Sequence, residues 1–467
     1  MMNVLVLCTD TFRADYLGCY GNTWVETPHL DRLASEGVLL TDFYGEGLPT
    51  IPSRRVFYTG RRIFPMTYRP QKSDPVQLPG WHPLYDEDIT LAEWLSKRGY
   101  TTGLVGDLYH IMKPGKNFHR GFHSWQWIRG QEIDPLVPTP HCDLDVSRHV
   151  RPEEPPDSGT RRRTAQYLNN RAWWKSEADH YAAQVMRAAA DWISTHGHKK
   201  PWMLWVESFD PHEPWDAPQS YVEKYCPNYD GLALTWAPAF TKDCSEEEFA
   251  WIRANYAGEC SHVDTWCGYV LDTLERKGLK DDTIVVFTSD HGTMMGEQGQ
   301  IHKGQDRVRI QVARSPLILR HPDNAYAGKK VSGLVQQQDL MPTLLRLLGE
   351  PVPERCNGED FWPVVTGERQ GGLRNIIITS FGWYAGVRTK KWNYQTAWAR
   401  PGNRAMRLPE LYDCPNDPDE LVNVIDRYPE VARELQGHLE EAMKGHAESG
   451  GKVEGTDTPA AIPGLRW

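Results

Sequence analysis

Three short apolar runs punctuate the chain, and each ends in a polar tail. Val4–Cys8 leads into Thr9-Asp10, Trp202–Val206 into Glu207-Ser208-Phe209-Asp210, and Thr283–Phe287 into Thr288-Ser289-Asp290-His291. Continuous apolar runs without polar alternation are what strands buried on both faces of a parallel sheet require. Between them the apolar spacing becomes helical, over Leu30–Glu36, Leu91–Arg98, Tyr181–Thr195 and Glu246–Lys277, the last expected to break near its middle. Strands alternating with helices predict a doubly wound α/β sheet, in which ligands collect at the carboxyl ends of the strands. The three polar tails are therefore expected to share one site.

The stretch from about Pro114 to Ser158 is rich in Pro, His, Arg and Trp and shows no period. It reads as a long insertion outside the core, either an active-site cover or a packed surface loop. Beyond Gly367-Glu368-Arg369 the pattern shifts to short strands over Ile376–Thr379, Trp383–Arg388 and Trp392–Thr396, followed by an amphipathic helix over Glu430–Lys444. The expected organisation is a catalytic α/β domain over residues 1–370 carrying the insertion at about 114–158, a small C-terminal α+β subdomain over 371–447, and an extended or disordered tail over 448–467.

Composition narrows the function. With 62 acidic against 52 basic residues the net charge is −10, which disfavours nucleic acid as a partner. The one basic run, Arg161-Arg162-Arg163, reads as a solvated loop or an ion-paired face. Nine cysteines without a CxxC pair do not suggest a disulfide framework. The opening apolar run is too short for a secretion signal, and no stretch approaches a membrane span. A cytoplasmic protein without a membrane partner is expected, with a homo-oligomer left open. The tryptophans in and around the insertion (Trp125, Trp127, Trp173, Trp174) fit packed core better than a sugar-stacking wall.

Asp10, Asp290 and His291 lie at two candidate strand ends far apart in sequence. Two carboxylates and an imidazole converging there would make a divalent-metal site, although an Asp at a strand end also serves as a helix cap and a lone His as a core group. In Gly47-Leu48-Pro49-Thr50-Ile51-Pro52-Ser53-Arg54-Arg55, Pro52 suits the first turn of a helix, which places Thr50 near a helix N-terminus. There Thr50 either caps the helix or, held against a metal, acts as a nucleophile.

These segments together resemble the sulfatase branch of the alkaline phosphatase superfamily. Sulfatases carry Cys/Ser-x-Pro-Ser-Arg followed by Thr-Gly-Arg, and Thr50-Ile51-Pro52-Ser53-Arg54 with Thr59-Gly60-Arg61 match apart from the first residue. Further matches run in the same order: Asp15-Tyr16-Leu17-Gly18, Thr27-Pro28-His29-Leu30-Asp31, Pro211-His212-Glu213-Pro214, Thr288-Ser289-Asp290-His291-Gly292, Gly296-Glu297 with Lys303, Asp339-Leu340-Met341-Pro342-Thr343, and Leu411-Tyr412-Asp413. The resemblance implies an alkaline-phosphatase-like α/β fold, a large mixed sheet flanked by helices with a small C-terminal α+β subdomain. It also implies Asp10, Asp290 and His291 as metal ligands, Arg54 orienting the group at Thr50, His212 protonating the leaving oxygen, and Lys303 balancing charge on the transferred group.

Three departures bear on the activity. Threonine cannot be converted to the formylglycine of sulfatases, so no formylglycine is expected and Thr50 must act as an ordinary alkoxide or not at all. Asp10 is followed by Thr11 rather than a second aspartate, a feature similar to phosphonate monoester hydrolases. Thr11 then either ligates the metal or supports a ligand, and the site favours Mn or Zn over Ca or Mg. Where many sulfatases carry Gly-Lys-x-His, this chain reads Gly106-Asp107-Leu108-Tyr109-His110; Tyr109 or His110 could contact the substrate, and Asp107 would repel a dianion unless it binds a cationic part of the substrate or a metal.

The expected activity is therefore hydrolysis of a small phosphate diester, phosphate monoester or phosphonate ester by one metal ion and Thr50. The alternatives are a sulfatase working without formylglycine and a non-catalytic anion-binding protein.

Overall fold

The computed structural model describes residues 1–68, 76, 78–138, 144–304, 308–399 and 408–448. Its main sheet has eight strands: β1 (Asn3–Thr9), β2 (Val38–Leu40), β3 (Thr101–Gly106), β4 (Ser124–Trp127), β5 (Trp202–Ser208), β6 (Thr283–Ser289), β7 (Leu317–Arg320) and β8 (Lys329–Val331). They lie in the order β8-β2-β7-β6-β1-β5-β3-β4. The central strand β1 runs parallel to both neighbours, β5 and β6, whereas β7 is antiparallel to β2 and β6. The three apolar runs of the sequence are thus the three adjacent central strands. Every residue in them is buried.

In chain order the longer helices are α1 (Pro28–Glu36), α2 (Thr50–Thr59), α3 (Leu91–Ser96), the single turn α4 (Tyr109–Met112), α5 (Gly159–Asn170), α6 (Tyr181–His196), α7 (Glu246–Arg276), α8 (Leu340–Leu347) and α9 (Pro429–Glu448). Side chains alternate across a strand, so β1 feeds two cores. Val4, Val6 and Cys8 pack with Phe57 and Tyr58 of α2, Leu91 and Leu95 of α3, and Leu344 of α8. Leu5 and Leu7 pack on the opposite face with Leu30 of α1, Met186 of α6, and Ile252 and Tyr256 of α7. The result is a sheet covered by helices on both faces, as the sequence predicts.

Two expectations are corrected. The helix expected to break near its middle is continuous over 31 residues in α7. Gly258 lies at that midpoint, where an added Cβ would sit 3.1 Å from Ala217 Cβ and 3.3 Å from the Val222 nitrogen. Close packing of the 217–222 segment there offsets the low helix propensity of glycine. Within the insertion, Ser124–Trp127 forms the edge strand β4 in register with β3. A four-residue strand with two exposed positions has no apolar run to betray it. The tail beyond Glu448 lies outside the described residues.

The C-terminal strands β9 (Ile377–Phe381), β10 (Tyr384–Arg388), β11 (Trp392–Ala397) and β12 (Glu410–Asp413) form an antiparallel sheet with α9 packed on it. Its last partner comes from the other end of the chain: the two-residue strand Gly47–Leu48 pairs with β9 through Gly47↔Ser380 and Leu48↔Phe381. The segment leading into Thr50 is thereby fixed by the second sheet. A buried polar knot adds to this junction. Glu420 accepts hydrogen bonds from Arg388, from Asn393 at 2.9 Å and from the Ile310 N–H at 3.0 Å.

Replacing Glu420 with alanine leaves Arg388 buried and unpaired, which should cost about 3–5 kcal/mol. Urea unfolding of Glu420→Ala beside the parent protein measures this, and a loss under about 1 kcal/mol would mean the pair is screened by solvent.

Candidate functional site

Register alone brings the carboxylates together. Thr9 of β1 lies opposite Ser289 of β6 and Ser208 of β5. Asp10 and Asp290 are each the next residue, and their N–H groups continue the ladder, donating to the Ser208 carbonyl at 3.0 Å and the Thr9 carbonyl at 3.2 Å. Asp10, Asp290 and His291 are fully buried, and one ligand atom from each lies within 4.8 Å of the others.

The donor set fits a cation. His291 Nδ1 lies 2.8 Å from the Gly292 carbonyl, which only accepts, so Nδ1 carries the proton. The Nε2 lone pair then faces Asp290 Oδ2 at 3.4 Å and Asp10 Oδ1 at 3.9 Å, and Nε2 has no hydrogen-bond partner. Burial holds the imidazole in its neutral form, with its pKa lowered to about 3, against the opposing pull of Asp10. Three lone pairs converging in a sealed space repel one another unless a positive ion lies between them.

Arg54 completes the local charge. Its Nη1 reaches Asp10 Oδ2 at 3.0 Å and also bonds Asp290, while Nε and Nη2 bond Glu207 Oε2 at 3.1 and 3.0 Å. Glu207 also accepts from Trp205 Nε1 at 2.7 Å and Tyr58 OH at 3.2 Å. Three buried carboxylates thus surround one guanidinium. Burial opposes ionisation of Asp10, but Arg54, then His212, His291 and Lys303, hold its carboxyl well below the usual range. Burial drives Asp290 the other way, with Arg54 opposing and Asp10 reinforcing the rise. One carboxylate of this pair ionises readily and the second resists, as expected of like charges sharing one partner. A divalent cation would balance the set.

Glu207 drew no role from the sequence. The available signal was an acidic residue inside a strand with no exposed position. Thr11 proves to be a clamp on the aspartates. Its hydroxyl donates to Asp10 Oδ1 at 2.7 Å, its N–H to Asp290 Oδ1 at 2.9 Å, and its carbonyl accepts from Tyr256 OH at 2.7 Å. These bonds hold a β-branched residue at φ 69°, a left-handed conformation costing about 1–2 kcal/mol.

Thr50 opens α2 and is 2% exposed. It does not cap the helix: Pro49 occupies that position without a side-chain bond, and among the described residues nothing bonds the Thr50 hydroxyl. Residues four apart share a helix face, so Thr50 lies one turn before Arg54 on the side facing Asp10 and Asp290. Ser53 Oγ in the same turn lies 3.5 Å from the Asp290 carbonyl.

His212 and Lys303 lie close enough for their charge to act on Asp10. Lys303 Nζ lies 2.6 Å from His212 Nε2 and 3.2 Å from Glu213 Oε1, and the His212 ring stacks on Phe209 at 4.1 Å. His212 Nδ1 meets the Glu213 carbonyl, leaving Nε2 to accept from the ammonium. Burial lowers the imidazole pKa. His110 flanks the other side of Phe209, its Nε2 2.9 Å from Glu132 Oε2, and Tyr109 is half-buried beside Trp127. Asp107 is fully buried. Its oxygens face the Phe209 N–H at 2.7 Å and Gln131 at 3.4 Å, and burial, then the neighbouring Asp210, raises its pKa well above the carboxylate range.

The sequence model of the sulfatase family matches residues 2–350, and that of the N-sulphoglucosamine sulphohydrolase C-terminal region matches residues 306–446. An arylsulfatase of Clostridium perfringens is 26% identical over 96% of this chain and 95% of its own length. Human arylsulfatase A is 27% identical over 91% of this chain and 83% of its own. Among solved structures, the phosphonate monoester hydrolase of Agrobacterium radiobacter superposes with a TM-score of 0.73 at 23% identity, covering 96% of both chains.

Saturation with Mn(II) or Zn(II) should stabilise the protein, by about 2.7 kcal/mol at a hundredfold excess over Kd, and EDTA should reverse it. Calorimetric melting of the parent and Asp290→Asn checks this. An equal metal-induced shift in both proteins would remove the ion from this site.

Proposed function

The chain belongs to the sulfatase family of ester hydrolases, and we propose that within it the protein cleaves phosphate or phosphonate esters through a covalent adduct on Thr50. The observation that carries this reading is the Thr50 hydroxyl itself. It is uncapped, buried at a helix N-terminus, and on the helix face from which Arg54 reaches the two aspartates.

Asp10, Asp290 and His291 are the residues that would hold the metal, and their two carboxylates and one imidazole suit Mn or Zn better than an all-oxygen Ca site would. A divalent ion there supplies Lewis acidity that favours the alkoxide form of a neighbouring hydroxyl and neutralises charge on the transferred group. With its proton lost to solvent, Thr50 Oγ bonds to phosphorus as the ester oxygen departs. Water then cleaves the Oγ–P bond, restoring the hydroxyl and releasing phosphate or phosphonate. A sulfated threonine has no comparable exit, because the elimination that frees sulfate from formylglycine hydrate needs a second hydroxyl on the same carbon.

The leaving oxygen needs a proton. His212 Nε2 accepts a hydrogen bond from Lys303, so the transferable proton rests on Lys303 Nζ, and the role assigned to His212 from sequence passes to the pair. Glu213 holds both groups in place. Sulfate ester hydrolysis without formylglycine is a second reading, supported by the arylsulfatase names of the relatives.

Mass spectrometry during turnover of matched 4-nitrophenyl phosphate, phosphonate and sulfate esters with Mn or Zn separates the two. A phosphoryl or phosphonyl adduct on the Thr50 peptide is expected, with Thr50→Ala lowering kcat about 10³-fold or more. Sulfate ester turnover that survives in Thr50→Ala without any adduct would overturn the proposal.

Lys303→Ala should lower turnover of a phenyl ester about 10²-fold or more and that of the 4-nitrophenyl ester much less, since the better leaving group needs less protonation. Equal losses on both esters would remove Lys303 from proton donation.

A further inference from the structure

The run Arg161-Arg162-Arg163 lies in a helix rather than a loop, and among the described residues it forms no ion pair. It lies in the first turns of α5, capped by Ser158, whose hydroxyl accepts from the Arg161 N–H at 3.1 Å. Arg161 bonds the Glu154 carbonyl at 2.8 Å and Arg162 bonds the Asp157 carbonyl at the surface. Arg163 turns inward instead, its guanidinium 4.4 Å from the centroid of the Trp236 ring. Among the described residues no carboxylate pairs with Arg163. Its Nε is sealed from solvent without a hydrogen-bond partner, as is the Trp236 indole N–H.

Its position ties it to the catalytic walls. On one side, Asn170 of α5 donates to the carbonyls of Gly130 and Asp134, both at 2.8 Å, fixing the helix against the loop that carries Glu132, the partner of His110. On the other side, Trp236 is held through its chain neighbours. The Thr235 carbonyl accepts from the Trp215 N–H at 3.0 Å, and the Ala237 carbonyl lies 2.7 Å from His302 Nε2. Trp215 closely follows His212-Glu213, and His302 immediately precedes Lys303. Glu213, Glu132 and Glu154 are the carboxylates whose charge Arg163 feels, yet burial outweighs them and disfavours its charged form. An unpaired, partly buried guanidinium is costly unless something anionic completes it.

We propose that Arg163, backed by Trp236, is the subsite for the organic part of the ester, and that this part carries a carboxylate. Stacking on an indole leaves the planar fork of a guanidinium free for two parallel hydrogen bonds to a carboxylate. One guanidinium amid three carboxylates also suits a monoanion better than a second dianion. The substrate class is then an ester of phosphoric or phosphonic acid with a carboxylate on its organic portion. This rests on the ester hydrolase reading of the adjoining centre.

The test uses the full chain loaded with Mn(II). Titration calorimetry with benzoate, and with benzamide as the neutral control, should show benzoate binding that weakens at least tenfold in Arg163→Met and is partly kept in Arg163→Lys. In parallel, the kcat/KM ratio between 4-nitrophenyl esters of carboxyphenylphosphonate and phenylphosphonate should fall at least tenfold in Arg163→Met. Benzoate binding that is absent from the parent protein, or equal in parent and Arg163→Met, overturns the subsite whatever the turnover. Arg163-dependent benzoate binding without turnover of any ester keeps the subsite and overturns the hydrolase reading instead.

Discussion

The guanidinium of Arg54 ties together the ends of three adjacent strands. Asp10 follows β1, Asp290 follows β6 and Glu207 is the last residue but one of β5, and all three carboxylates reach Arg54 with no exposed surface among them. Parallel strands in register must end at the same level, so acidic residues at their ends are forced into contact. Such crowding is tolerable only with positive charge inside the cluster. Arg54 supplies one unit and α2 supplies its placement. The same helix that delivers the guanidinium delivers Thr50 one turn earlier. The position of Thr50 and the charge balance therefore depend on one helix.

This explains why the second sheet belongs to the active centre although it lies at the far end of the sequence. Gly47–Leu48 joins β9, and the next helix begins two residues later at Thr50. The start of α2 is held from behind by the C-terminal sheet and from the front by Arg54 and by Ser53 against Asp290. Loosening either contact would move Thr50 relative to the carboxylates.

Much of this was legible in the sequence because the physics involved is local. Apolar runs with polar tails marked the three central strands, and the strand ends marked Asp10, Asp290 and His291. Pro52 near the start of a helix marked the position of Thr50. What stayed hidden depended on partners distant in sequence. Glu207 is one acid among many until Arg54 is seen beside it. β4 is too short and too exposed to leave a pattern, and the length of α7 depends on segment 217–222 packing against Gly258. Asp107 suggested repulsion of substrate because its residue type was visible while its bond to the Phe209 N–H was not.

The arginine triplet shows the limit most clearly. Three identical residues in a row invite one reading, but a helix turns each by about 100° from the last, so consecutive side chains cannot share an environment. Two of them meet backbone carbonyls near the surface, while the third lies over Trp236 between the loops that carry Glu132 and Glu213. Among the described residues it hydrogen-bonds no carboxylate, whereas Arg54 bonds three. One guanidinium is satisfied by the protein, and the Nε of the other has no hydrogen-bond partner. Under the proposed reading, Arg54 balances the carboxylates that would hold a metal, and Arg163 offers a guanidinium without a hydrogen-bonded carboxylate to the organic part of a substrate.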